Sequence, residues 1–326
     1  MFSLSKENID TNRGKNMFIN AYNELKQYLS NKELPEMHFC YFDRQNLTDN
    51  HVSKQKVESS KIFQCFKDCH SWRIDDKREF ARIMNNDITV PKSYLKFDEY
   101  LKEKHKYPDD KVWFVKSRGS TSGKGVYCKY NHELATSPGE RYIIQEEIPN
   151  IDLWENRKYV IRSYVLIWNK KAYFHKKAMA FIHGEDYISN TSHEIQVSHA
   201  GYWSENGRVK VKPLCKINEL NNKPRNFHNK LLELLFDVSK TICHKFKAMV
   251  DASEENTYII LGTDFIVTKK NRDYNLKIVE VNRYPNISHT QEVNREVNER
   301  MIRDTMVLFY QINHPLGHDY VEIPFA

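Results

Sequence analysis

Residues 258–286 read YIILGTDFIVTKKNRDYNLKIVEVNRYPN, and this stretch decides the fold. Two apolar runs flank a polar one. Tyr258–Thr268 is rich in Ile, Val, Phe and Tyr, and Leu276–Val281 in Leu, Ile and Val, the composition of strands. Lys269–Asn275 between them holds only charged residues, Asn and Tyr, which suits a hairpin loop. Asp264, Glu280 and Asn282 are set into these strands. Side chains alternate faces along a strand, so Glu280 and Asn282 share one. If the hairpin folds about Arg272, Asp264 lies opposite Glu280. Two carboxylates facing each other on a buried sheet repel, and burying them unpaired is costly. A divalent cation resolves both problems: two carboxylates and an amide oxygen suit Mg²⁺, which also holds substrate phosphates. Neutralisation by Lys or Arg resolves them equally well. The hairpin alone leaves both solutions open.

Outward from the hairpin, 326 residues are enough for two or three structural units with real cores. Hydrophobic residues make up 40% and aromatics 13%, which excludes a disordered tail. The formal charge of +7 is modest and dispersed. It fits an acidic partner such as a nucleotide, an acidic peptide tail or RNA, without choosing among them. Six cysteines are scattered and Met1–Asp10 has no apolar core, so the expectation is reduced thiols in the cytoplasm. Cys65-x3-Cys69-His70 lacks a second ligand pair and reads as packing, not as a zinc site. No apolar run reaches membrane-spanning length, so no membrane partner is expected.

Along the chain, Asn16–Leu29 has Phe18, Ala21, Leu25 and Leu29 at helical spacing. Met37–Phe42 reads as a short strand, Asn46–Ser53 as loop and Val57–His70 as a helix. A second helix over Asp75–Met84 follows, with Asp75 or Asp76 as its cap. Ile88–Leu95 is extended, held out of a helix by Pro91, and Phe97–Lys104 is a short helix. Ala172–Ile182 is a strand, Asp186–Gln196 a loop and Gly201–Val211 a loop or short hairpin. Phe227–Val250 is the clearest helix, with Leu231, Leu235, Val238, Ile242 and Phe246 on one stripe. Thr290–Gln311 reads as a polar helix.

Three further stretches carry charge. In Lys111–Tyr130, a strand Val112–Lys116 runs into a Ser-, Thr- and Gly-rich loop and out into a strand Gly125–Tyr130. Gly119, Gly123 and Gly125 let the backbone approach a ligand, and Ser120, Thr121, Ser122 and Lys124 add donors. The spacing is not that of a G-x4-G-K-[ST] phosphate loop, and no GxGxxG is present. Arg141–Glu147 is a strand ending in three polar residues. Arg157–Trp168 is a longer strand with Lys158 and Arg162 on one face, roughly 13 Å apart at the usual rise. An extended polyanion lying across them would relieve their repulsion.

With these motifs in this order, the chain resembles the tubulin tyrosine ligase-like family of the ATP-grasp superfamily. The resemblance rests on Lys116-Ser117 leading to Gly123-Lys124-Gly125-Val126, on Tyr142-Ile143-Ile144-Gln145 and on Arg157-Lys158-Tyr159-Val160-Ile161-Arg162-Ser163. It rests further on Tyr187-Ile188-Ser189-Asn190, Gly262-Thr263-Asp264-Phe265 and Glu280-Val281-Asn282. It covers about Asp76 to Ser288. It implies an α+β, ATP-grasp fold in which a nucleotide is held between two mainly antiparallel sheets with flanking helices, plus a small N-terminal domain. The expected divisions are 1–74, 75–147 and 148–326.

Residue by residue, the resemblance implies that Lys116 and Lys77 bind nucleotide phosphate, under the loop at Gly123 and Gly125. Gln145 and the Glu146, Glu147 and Ile148 backbone frame the adenine. Lys158 and Arg162 hold the γ-phosphate and the substrate carboxylate, with Asn190 near the substrates. Asp264, Glu280 and Asn282 bind Mg²⁺, which selects the metal reading of the hairpin, with Lys158, Arg162 and Glu280 at the catalytic centre. Two positions depart from the family pattern. Its Asp stands as Val160, and a downstream Arg falls at Ala180, with Lys176 or Lys177 as replacement charges.

The implied activity is an ATP-dependent, ADP-forming ligase joining a free amino acid to a protein or peptide carboxylate through an acyl phosphate. The implied acceptor is an acidic tail such as tubulin's. The alternatives are a ligase for a small carboxylate and amine, and a non-catalytic module that binds acidic tails or RNA. A metal triad serves no purpose in a mere binder. No RNA-recognition aromatic motif stands out, so nucleic acid is not the expected partner.

Overall fold

The computed structural model describes residues 71–119, 123, 125–197, 208–271, 273–312 and 314–325 in full. It also describes parts of 17–28 and the backbone of 2–4, 37–39, 61–65 and 68–70. Thirteen strands are described in this mixed α/β molecule, forming two sheets. Strands β1 (Phe2–Leu4), β2 (Met37–Phe39), β3 (Lys61–Cys65), β8 (Arg157–Trp168), β9 (Lys171–Asp186), β10 (Lys210–Pro213), β11 (Thr257–Lys270), β12 (Asp273–Asn282) and β13 (Tyr320–Ile323) form the large sheet. Strands β4 (Ser93–Tyr94), β5 (Val112–Ser117), β6 (Val126–Tyr130) and β7 (Tyr142–Glu146) form the small one, in the order β4-β7-β5-β6. Pairing in the small sheet is antiparallel throughout. The large sheet is antiparallel except where β1, β2, β3 and β11 run parallel.

The large sheet is buried on both faces, because its central strands are apolar at nearly every position. On β8, Tyr159, Ile161, Val165 and Ile167 join one core cluster, and Val160, Tyr164, Leu166 and Trp168 the other. The helix Phe227–Lys245 closes the first face with Leu231, Leu235, Val238 and Ile242. The helix Glu299–Tyr310 closes the second with Met301, Ile302, Met306 and Phe309. Described residues of the 17–28 region, Met17, Phe18, Ala21 and Leu25, pack on that second face. Asn169 and Lys170, both at positive φ (49° and 59°), make the two-residue turn between β8 and β9, whose twist matches the flanking strands.

The small sheet has its own core of Tyr94, Tyr100, Trp113, Val115, Leu134 and Ile144 under the helix Phe97–Lys104. The buried amide of Asn131 is satisfied there: its Oδ1 accepts from Tyr100 Oη at 2.6 Å and from Trp113 Nε1 at 3.2 Å. The helix Lys77–Ile83 joins the two sheets. Asp76 caps it, its Oδ1 accepting from the amides of Arg78 and Glu79 at 2.9 Å each.

Two expectations are corrected. The helix read over Val57–His70 is the strand β3 at Lys61–Cys65, followed by a helix from Asp68. Gln64 and Cys65 pair with Thr257 and Tyr258 of β11, so a distant partner overrode the local pattern. The Glu299–Tyr310 helix is not polar. Its apolar stripe is buried, and so are Arg303, Asp304 and Thr305, which are paired inside the fold. Asn46–Ser53, Leu29, Ser120, Thr121, Ser122, Lys124 and Arg272 lie outside the described residues. No helix among the described residues is long and apolar enough to cross a membrane.

Candidate active site

The hairpin at the centre of the large sheet carries an irregularity that builds the site. From Lys270↔Asp273 to Phe265↔Ile278 the pairing of β11 and β12 is regular, and then it slips by one, so that Asp264 faces Glu280. The slip leaves Val279 as an extra residue. A bulge of this kind turns two successive side chains to one face. Val279 and Glu280 both line one cavity, while Ile278 and Val281 sit in the core cluster beneath the opposite face. Plain alternation from Ile278 would have aimed Glu280 at that core.

Asp264 is 3% exposed and held by a fork: Arg162 Nε donates to Oδ1 at 2.8 Å and Nη2 to Oδ2 at 2.7 Å. Burial alone would lower the Arg162 pKa, but the Asp264 charge more than reverses this and raises it. Lys77 Nζ lies 3.7 Å from Glu280 Oε2. Asn282 Nδ2 reaches Glu280 Oε1 at 3.3 Å and Asp264 Oδ2 at 3.4 Å. Each acid therefore has a cationic neighbour. The two carboxylates converge as oxygen donors of the kind Mg²⁺ takes, while the Asn282 amide meets both with its nitrogen and would have to turn over to add its oxygen.

Two lysines enter the cavity from different sheets. Lys116 comes from β5 and is 6% exposed, and Lys158 comes from β8 and is 4% exposed. Burial pulls both ammonium groups down to about 8. Glu280 opposes the shift at Lys116, and Glu147 opposes it at Lys158. The Phe114 ring lies 5.7 Å from Lys116 Nζ and 4.9 Å from Lys158 Nζ. At its apolar end the cavity is walled by Ile148, Ile151, Val160, Ile266 and Val279.

Gln145, Glu146, Glu147 and Ile148, where β7 leaves the small sheet, line the same cavity, as does Gly123. Gly123 and Gly125 hold φ of +71° and +70°, open to glycine at no steric cost. Gln145 Nε2 donates to Ser93 Oγ at 2.9 Å. Glu147 is fully engaged. Its Oε1 accepts from Tyr187 Oη at 2.9 Å and Gln196 Nε2 at 2.8 Å, and its Oε2 from Ser189 Oγ at 2.6 Å.

The structure thus brings Lys77, Lys116, Gly123, Gln145, Glu146, Glu147, Ile148, Lys158, Asp264 and Glu280 to one cavity. Arg162 and Asn282 stand behind its acids. Asn190 does not line it: its Oδ1 accepts from the Ser192 amide at 2.9 Å and its carbonyl from Gln196 Nε2 at 2.9 Å. Gly125 lies beside the loop and outside the lining. A second cavity of about 290 Å³ shares Lys77, Lys116 and Glu280 with the first, so these charges stand where the two meet.

The two departures differ in kind. Val160 belongs to the apolar wall, where a carboxylate would be buried among aliphatic side chains. Ala180 is on the other face of the sheet, in the core with Ile161 and Ile182, and a side chain there does not reach the cavity. On the cavity side of β9, Phe181 lies under the Arg162 guanidinium at 5.1 Å. Lys177 is occupied with Asp319 at 3.6 Å and replaces no missing charge. Gln196 carries no signal in the sequence, and Tyr187 enters there only as part of the Tyr187–Asn190 motif, with no role of its own. Both lie in a polar stretch read as loop, and no local pattern marks residues that matter only through what they reach.

Comparison with known proteins adds to this geometry. The model of the tubulin-tyrosine ligase family matches residues 36–316. The chain is 24% identical to a probable tubulin polyglutamylase, ttll-9, of Caenorhabditis elegans over 242 residues, which is 65% of this chain and 56% of that protein. It is 26% identical over 240 residues to tubulin glycylase 3C of Tetrahymena thermophila, 64% of this chain and 22% of the glycylase. Tubulin glycylase 3D of the same organism is 23% identical over 221 residues, 60% of this chain and 21% of its own length. The match thus spans little more than half of one relative and about a fifth of the others.

Proposed function

The chain belongs to the tubulin-tyrosine ligase family, and from that premise we propose that it is an ATP-dependent, ADP-forming ligase that joins an amino acid to a protein carboxylate, with tubulin the first acceptor to test. The observation that carries the reading is the convergence of Lys77, Lys116, Lys158, Asp264 and Glu280 on one cavity between the two sheets. In this reading the fold is an ATP-grasp, with units 1–74, 75–147 and 148–326, and the sheets close on a nucleotide.

A carboxylate is a poor electrophile for an amine, and phosphorylation by ATP makes it a good one. Phosphoryl transfer asks the protein for alignment and charge neutralisation more than for covalent help. Lys116 and Lys158 supply positive charge from two sides of a buried cavity, where each is worth more than in water. The Ile148, Ile151, Val160, Ile266 and Val279 wall offers an apolar slot for a flat base. Gly123 lines the cavity and would help keep water from the acyl phosphate. Asp264, Glu280 and Asn282 would hold Mg²⁺, which would supply neutralisation of nucleotide phosphate charge. Arg162 holds Asp264 in place and keeps its negative charge on the cavity side. The names of the relatives, a polyglutamylase and two glycylases of tubulin, make Glu and Gly the first amino acids to offer.

The test is Mg²⁺-dependent ADP release with tubulin as acceptor, with Glu, Gly and Tyr in separate reactions and added mass followed. A mass gain with one amino acid is the expected result. Glu280→Gln should release no ADP, and ligation retained in that variant would sink the assignment. Tight ATP binding without turnover on tubulin would move the acceptor to another carboxylate.

A further inference from the structure

We propose that Gln196 is a positioning residue for Lys158, holding its ammonium at the cavity wall as a neutral spacer between that lysine and Glu147. The proposal rests on the ATP-binding reading above. A lysine ammonium has three donors. Two of those on Lys158 go to Gln196, to the backbone oxygen at 2.9 Å and to Oε1 at 3.0 Å. The third has no acceptor among the described residues, and the side chain lines the cavity. One donor is thus left for an anion, and its direction is set by the other two.

Gln196 is itself held. It is 3% exposed, and its Nε2 donates to Glu147 Oε1 at 2.8 Å and to the Asn190 carbonyl at 2.9 Å. With oxygen toward a cation and nitrogen toward a carboxylate and a carbonyl, the amide has a single satisfied orientation. Tyr187 and Ser189 then fix Glu147.

The neutral amide matters. Were Glu147 to touch Lys158 directly, an ion pair would cancel the charge that a phosphate needs. With an amide between them, Glu147 orients Lys158 through one intermediary and leaves its charge to the cavity. The other ionisable groups facing Lys158 are Lys116 on β5 and Cys128 on β6. Cys128 is pushed up to about 12 by burial and stays a neutral thiol. The His193–Gln196 turn also reaches the glycine-rich loop, with His193 Nε2 at 3.5 Å from the Gly123 carbonyl.

The experiment measures ATP affinity of the full chain in Mg²⁺ from pH 6.5 to 9.5, for the wild type, Gln196→Ala and Gln196→Glu. Wild-type affinity should fall as pH rises through about 8, where Lys116 and Lys158 lose their protons. Gln196→Ala removes one acceptor from the ammonium. It should weaken ATP binding by about tenfold at neutral pH and move the fall to lower pH. Gln196→Glu keeps the shape and adds a carboxylate. It should weaken binding at neutral pH and move the fall to higher pH. Opposite displacements of the alkaline limb are what a purely structural role would not produce. If the wild type binds ATP and neither folded variant moves that limb, the role of Gln196 is overturned while the nucleotide reading stands. If the wild type binds no ATP, both fall together.

Discussion

At the scale of single residues, the site is built from groups that burial disfavours. Lys116 has its pKa drawn from 10.5 to about 8, so at neutral pH it carries a charge that the folded protein holds at a cost of roughly 3 kcal/mol. The sign follows from proton linkage. Between about pH 8 and 10.5 the unfolded chain binds the proton and the folded one does not, so the lysine's penalty is full below 8 and relieved as pH rises. Lys116→Met should therefore raise the melting temperature of the ligand-free protein at pH 7 and abolish its further rise on adding Mg²⁺ and ATP. Calorimetry with and without nucleotide checks both halves. Asp264 behaves oppositely, because its partner is as buried as it is. Asp264→Asn leaves the Arg162 guanidinium without its counter-charge and should cost about 3–5 kcal/mol, read by urea unfolding. Changing Arg162 and Asp264 together to apolar residues should recover part of that loss while leaving no metal site.

At the scale of elements, the hairpin works through one extra residue and one missing side chain. Inserting one residue between Asp264 and Phe265, opposite Val279, would let β12 pair regularly with β11 and aim both Asp264 and Glu280 at the core cluster. The expected outcome is loss of stabilisation by Mg²⁺ and nucleotide, measured as a thermal shift. Gly262 lets the chain after β12 close over the strand: a Cβ there would meet Pro285 Cβ at 2.5 Å and Arg162 Cδ at 3.5 Å. Gly262→Ala should cost about 1–3 kcal/mol by overpacking and weaken nucleotide binding by displacing Arg162. The strands β8, β9, β11 and β12 were legible in the sequence because each is long and apolar beyond what any alternative explains. Asp264 opposite Glu280 was legible as well, from a fold about Arg272, although the route to it is a bulge that no pattern announces. β3 was misread because only its parallel partner β11 makes it a strand. The 299–310 helix was misread because its charges, unlike those of a solvated helix, pair inside the protein: Arg303 Nη2 with Asp304 at 2.7 Å, and Asp304 with His175 at 3.0 Å.

At the scale of the whole molecule, two sheets with separate cores meet at one cavity, and the net charge is +7. The first cavity holds about 80 Å³, room for a few waters. Long-range attraction from the positive charge is screened by salt, whereas contacts inside the cavity are screened much less. Raising salt from about 50 to about 300 mM should lift KM for an acidic acceptor several-fold and move KM for ATP far less. Equal salt dependence for both would argue that the acceptor is not recognised by its charge.

The sequence by itself set Lys116, Lys158, Asp264, Glu280 and Asn282 into apolar strands. It did so because strand periodicity and the cost of burying charge are local facts. Only the tertiary structure decided which face each of them meets. The slip at Val279 turns Glu280 toward the cavity, and the alternation along β9 turns Ala180 away from it. The turn at 193–196 carries Gln196 to Lys158, 38 residues earlier in the chain. Each of these depends on a partner strand or a distant side chain, and the sequence around a residue does not record what the fold will bring beside it.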